Sequence, residues 1–217
     1  MTDTTLTPLT ADAVAAMFTR ADGQFLFARW GRPIVPVVFG VEDATVRVLK
    51  GAIEAVVALA GHKMAETDPE LGANLMIFFI RDWEELTATP NLDRLIPGLP
   101  EVVARLDAAD ANQYRAFRFE EGGAIKAAFV FVRMDAAMAQ APAETIALSQ
   151  IVQTIVLWSD TAFLGASPLA VLQPDGPAIL KPQIADLIRA AYDPVLPPHA
   201  TDPAHALRLT ARLPRLQ

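Results

Sequence analysis

The chain has 217 residues, of which 53% are hydrophobic, a length that suits one domain spanning 1–217 and is ample for a sizeable core. A net charge of −7 and the absence of cysteine exclude the basic footprint of general nucleic-acid binding, and with it disulfides and thiolate metal sites. The longest apolar runs, Ile125–Val132 and Ile146–Trp158, are strand-sized or interrupted by polar residues, so no transmembrane segment is expected.

The first residues, Met1 to Pro8, lack a basic stretch followed by an apolar one, so no secretory signal is read here. A cytoplasmic location is expected, or a periplasmic or envelope one if a signal precedes Met1. Thr2–Thr10 reads as a lead-in, with Thr10 the N-cap of a helix over Asp12–Arg20 that Gly23 ends; residues 1–24 form this N-terminal part. Phe25–Trp30 reads as extended. Pro33–Phe39 reads as a strand whose internal Pro36 argues for a sheet edge or a bulge.

Asp43 is a good N-cap for the next helix, in which Val46, Leu49, Ile53, Val56, Val57 and Ala60 recur at helical spacing before Gly61. The run Leu75–Ile80 reads as a strand buried on both faces. Trp83–Leu86 makes a helical turn, and prolines at 90, 97 and 100 punctuate the way to a helix over Glu101–Leu106. Tyr114–Glu120 alternates, Glu121-Gly122-Gly123 turns, and Ala124–Arg133 runs back as an apolar strand, which together predict a β-hairpin.

Ala141 to Trp158 reads as one buried helix, with Pro142 in its first turn and Glu144 near the positive end of the macrodipole. Ser159–Pro177 reads as loop. Helices over Pro182–Tyr192 and Asp202–Arg212, the second capped by Thr201, make up the C-terminal part, 178–217. The order predicts an α+β fold, a mixed sheet of about four strands packed on helices.

Within the buried helix, Ser149, Gln150 and Gln153 occupy i, i+1 and i+4, the spacing at which a zinc peptidase helix carries His-Glu-x-x-His. Through Ser149-Gln150-Ile151-Val152-Gln153, Trp158-Ser159-Asp160 and Ala191-Tyr192-Asp193-Pro194, the chain resembles a bacterial family of unknown function with a zincin-like, metallopeptidase-like layout. Arg29–Ile34, Ala73–Leu75 and the hairpin are the upstream pieces, so the likeness runs from Arg29 to the C-terminus. The family's helix bears Glu-Glu-x-x-Gln, and a Gly-Leu-x-Asn-Asp-type turn follows it; here Ser149 and Gln150 replace the acids and the turn has lost its Gly-Leu.

The resemblance implies a zincin-like fold, with Ser149, Gln150 and Gln153 as degenerate active-site positions and no metal, no cofactor and no catalytic residue. Lys126, Ala128, Trp158, Asp160 and Tyr192 are the candidate groove residues. Zincin chemistry needs neutral imidazoles on the metal and a carboxylate base for the water, and a carboxamide takes up no proton at neutral pH. His62, His199 and His205 lie in separate segments and read as capping or surface residues. Glu120 and Glu121, adjacent on a strand end, point to opposite faces and read as a solvated hairpin tip.

The sequence is compatible with different classes of function. One is a non-catalytic pseudo-zincin domain that binds a peptide or protein; a second is a hydrolase or peptidase with an unrecognised active site. The third is an assembly subunit whose apolar excess forms a homo-oligomer interface.

Overall fold

The computed structural model describes residues 9–172 and 176–214. The lead-in over residues 2–8 and the predicted loop at Pro174 therefore fall wholly or partly outside the described residues. In chain order come α1 (Ala11–Phe18), β1 (Phe27–Ala28), β2 (Pro36–Phe39), α2 (Asp43–Leu59) and β3 (Leu75–Ile80). Short helices α3 (Glu84–Ala88) and α4 (Leu92–Leu95) lead into α5 (Leu99–Ala108), then the hairpin β4 (Gln113–Phe119) and β5 (Ile125–Arg133). A single 3-10 turn precedes α6 (Ala143–Val152); β6 (Leu169–Val171), β7 (Ala178–Leu180), α7 (Pro182–Ala191), β8 (His199–Ala200) and α8 (Ala204–Thr210) complete the chain.

The fold is α+β, built on a four-stranded mixed sheet of order β2-β3-β5-β4. Strands β2, β3 and β5 run parallel, while β4 returns antiparallel along the outer edge of β5. Pro36 lies on the edge strand β2, where a missing N–H costs no ladder bond. β3 and β5 are apolar on both faces because helices cover both. One face, with Leu75, Ile77, Ala128 and Val130, packs on α2 and α6 and beyond them on α1, α7 and α8. The other, with Phe78, Phe129 and Phe131, packs on α3, α4 and α5 around Trp83 and Leu99. No helix among the described residues is long and apolar enough to cross a membrane.

Several local expectations shift. Thr10 does cap α1, its Oγ1 accepting from the Ala13 N–H at 3.2 Å. At α2, however, Glu42 holds the cap position and Asp43 is already helical. The region read as loop after the long helix contains the β6–β7 hairpin, whose arms of three residues are too short to show a period.

The main correction concerns the helix read over Ala141–Trp158, which ends at Val152. Val156 instead bridges Arg29 in antiparallel fashion, and the Leu157 N–H donates to the Ala28 carbonyl at 2.8 Å. Ile155-Val156-Leu157-Trp158 is β-branched and aromatic enough to favour such an extended path once a partner is offered. Buried aromatic donors occupy the carbonyls at this end. Trp158 Nε1 donates to Val152 O at 2.8 Å, Trp30 Nε1 to Thr154 O at 2.9 Å, and Tyr192 Oη to Ile155 O at 2.7 Å.

Candidate functional site

Helix α6 carries Ser149 and Gln150, with Gln153 as its C-terminal cap, beneath the face of the sheet that α2 and α6 cover. Strand periodicity puts Gln113, Arg115 and Phe117 of β4 on that same face. Gln150 is 1% exposed. Its Oε1 accepts from Arg115 Nη2 at 2.6 Å, and its Nε2 donates to Gln113 Oε1 at 3.1 Å. The same Gln113 oxygen accepts from Arg115 Nη2 at 2.7 Å, closing a triangle of two amides and a guanidinium.

Arg115 is a half-buried cation with no carboxylate against it among the described residues. Burial alone pulls its guanidinium down from 12.5 to about 10. Its Nε is buried without a hydrogen-bond partner among the described residues. Gln150 therefore acts as an acceptor for a stranded positive charge. One turn on, Gln153 Nε2 donates to Ser149 Oγ at 2.9 Å and to the Ser149 carbonyl at 3.3 Å, so these half-buried side chains satisfy each other.

These residues do not fit a zinc ion. A hydroxyl and two amides replace imidazoles and acid, and their polar atoms are engaged with one another, Arg115 and Gln113. Among the described residues no group of three or more His, Cys, Asp or Glu is placed to hold a metal. His62 Nε2 lies 2.9 Å from the Arg32 carbonyl, with its ring against Tyr192, rather than on the end of α2. His199 sits in β8. His205 is 2% exposed, its ring 4.5 Å from that of Phe27, and neither ring nitrogen has a partner among the described residues.

The candidate groove residues do not line one groove with the helix positions. β5 is an interior strand, flanked by β3 and β4, and Ala128 on it is 0% exposed within the core. Lys126 pairs with Glu70. Trp158 stacks on Phe18 at 5.4 Å, and Tyr192 lies under the Arg29 guanidinium at 5.3 Å with its hydroxyl pushed up by burial. Asp160 is exposed and accepts from the Ala21 N–H at 3.0 Å. The structure thus brings Trp158 and Tyr192 together as caps for the end of α6, and leaves Lys126 and Asp160 elsewhere.

A second polar cluster gathers two of the upstream sequence pieces. Arg32 Nη1 pairs with Asp68 at 3.1 Å, and its Nε donates to Glu120 Oε1 at 2.7 Å. Buried Asn74 donates to Asp68 at 3.0 Å and to the Pro33 carbonyl at 2.9 Å, and accepts from the Val35 N–H at 2.8 Å. Burial pushes the Asp68 carboxyl up. The N–H groups of Leu71 and Glu70, then Arg32 and Asn74, outweigh that and hold it at about 2. The cluster borders an open cavity of about 540 Å³ and fastens the 32–35 segment to the loop before β3. Glu120, read as a solvated tip, is one of its anchors.

Sequence reasoning missed Arg115, Gln113 and Asp68. The alternation of β4 does put Arg115 on the core-facing side with Phe117, and a core-facing arginine was the available signal. The fold and site define an α+β domain whose helix α6 is locked to an edge strand by a polar knot. Comparison with known proteins adds no relative: no protein family, no curated protein and no solved structure matches the chain.

Proposed function

We propose that the chain is a non-catalytic, metallopeptidase-like (pseudo-zincin) domain, related to the bacterial family of unknown function that it resembles, which acts by binding or assembly. The observation that carries this reading is the state of Gln150. At the position where a zinc peptidase holds its general base, the side chain is a buried amide accepting from Arg115 and donating to Gln113. A carboxamide takes up no proton at neutral pH, and a guanidinium pressed against this position would suppress the basicity of any carboxylate there.

The layout supports the comparison. An antiparallel edge strand, β4, faces the helix that carries the motif-spaced residues, and a longer helix, α2, packs behind it. The edge of β4 is the surface on which an extended peptide would add as a further strand. Binding there calls for no chemistry from Ser149, Gln150 or Gln153.

The test is metal content together with proteolysis. Protein purified without chelator is expected to hold no stoichiometric zinc by mass spectrometry and to cleave neither casein nor a general peptide library. Stoichiometric zinc, or cleavage that a chelator stops, overturns the reading.

A further inference from the structure

On the face of the sheet opposite α6, a cleft of about 460 Å³ opens between α4 and the first residues of β3 and β5. Its size falls in the range of small-molecule sites, which are largely apolar with a few placed polar groups. The floor is Met76, Ala127 and Phe129. The rim exposes Leu71 at 43%, Leu95 at 44% and Phe119 at 41%, a convergence of large apolar side chains that a solvated rim would not gather.

The charge of the cleft runs against that of the chain. In a protein of net charge −7, no carboxylate among the described residues lines it, whereas Arg94, Arg118 and Lys126 do. Lys126 is neutralised by Glu70. Arg118 lies over the Phe129 ring at 5.9 Å and, among the described residues, donates only to carbonyl oxygens, those of Phe117 at 3.1 Å and of Leu95. Arg94 forms no ion pair among the described residues. Two guanidinium groups without anionic partners therefore flank an apolar floor.

We infer that this cleft binds a small amphipathic anion, an apolar chain or ring system ending in a carboxylate or sulfonate. The body lies on Met76 and Phe129, and the head meets Arg94 and Arg118. Charge complementarity selects this occupant, because a neutral apolar body leaves both guanidinium groups unmet and an ammonium head is repelled. The inference is independent of the pseudo-zincin reading, which concerns the other face of the sheet.

The probe is 1-anilinonaphthalene-8-sulfonate titrated into the folded full chain, followed by displacement with octanoate, octanol and octylamine. Saturable binding is expected, reversed by octanoate at concentrations about tenfold below those required of octanol or octylamine. Arg118→Gln and Arg94→Gln should each weaken the probe and octanoate about tenfold while leaving octanol unchanged. Arg94 makes no side-chain hydrogen bond or ion pair among the described residues, so that variant decides the matter even if Arg118→Gln fails to fold. Absence of saturable binding, equal displacement by all the octyl compounds, or wild-type affinity in Arg94→Gln overturns the inference. So does a dimer that Leu95→Asp dissociates in a chain that binds no probe, since a second copy would then be the occupant.

Discussion

Truncating Gln150 to alanine asks whether the polar knot between α6 and β4 holds the fold. The substitution removes the acceptor 2.6 Å from Arg115 and the donor 3.1 Å from Gln113. A hydrogen bond to a charged group contributes about 1.5–3 kcal/mol and a neutral one about 0.5–1.5 kcal/mol. The expected loss is therefore about 3 kcal/mol. At roughly 2–4 °C per kcal/mol for a chain of this size, Tm should drop by about 6–12 °C. Arg115→Met behaves differently. It removes a guanidinium whose fall to about 10 marks roughly 3 kcal/mol of burial cost, and it strands the Gln150 oxygen at a cost of about 1–3 kcal/mol. These offset, so the variant should unfold close to the wild type. In that background Gln150→Ala loses the bond to Gln113, about 1 kcal/mol, but removes the stranded oxygen at the same time, so it should cost next to nothing, leaving a coupling of about 3 kcal/mol. Urea unfolding of the wild type, both single variants and the double variant reads this directly. A Gln150→Ala protein as stable as the wild type, or an additive cycle, refutes the knot.

Other perturbations probe the rest of the framework. Asp68, held at about 2 against an ordinary 3.8, binds its proton later in the folded chain than in the unfolded one. Its stabilisation is fully present above the unfolded value and lost as pH falls through about 2, so Asp68→Asn should flatten the acid limb of a stability–pH profile below about pH 4. An unchanged limb contradicts the cluster's role. Burial first, then neighbouring cations, holds the His62 and His205 imidazoles below their ordinary value. The unfolded chain then protonates first and stability declines as pH drops below about 6.5. His205→Phe should shallow that decline, and an identical slope in the variant would count against a buried neutral ring. Gly123, at φ +81°, leaves no room for a Cβ, which would lie 2.4 Å from His199 Cγ. Gly123→Ala should cost more than about 2 kcal/mol by loosening the β4–β5 turn against β8, whereas melting with the wild type would deny the contact.

How far the fold is legible in the sequence depends on whether a signal is local. The period of α2, the uninterrupted apolar run of β3 and the Gly-Gly turn of the hairpin are local, and each element stands where its residues place it. The end of α6 is not. Pro142 announces its start, but its stop at Val152 is set by Ala28, Arg29, Trp30 and Tyr192, which reach it from remote segments. Periodicity reports which side of a helix is apolar and is silent about what arrives to cap it. Which hairpin arm is interior is legible in the charges of the two arms. The arm with no charge between Ala127 and Val132 has to be interior, and the arm carrying Arg115 and Arg118 has to be the edge. That distinction moves any peptide-binding surface from β5 to β4.

The candidate site shows the same limit more sharply. Spacing along α6 places Ser149, Gln150 and Gln153 on one side, which suffices to compare them with a zinc-binding motif. What Gln150 does is decided by Arg115, 35 positions away along the chain. An amide is the better residue beside a half-buried guanidinium whose strand also carries Gln113, because it accepts from the cation and donates to the neighbouring amide at once. A carboxylate at position 150 would accept from Arg115 but would set its second oxygen against Gln113 Oε1, breaking one bond to strengthen another. The amide at position 150 is therefore matched to the polar face of β4, and a carboxylate there would break the bond to Gln113.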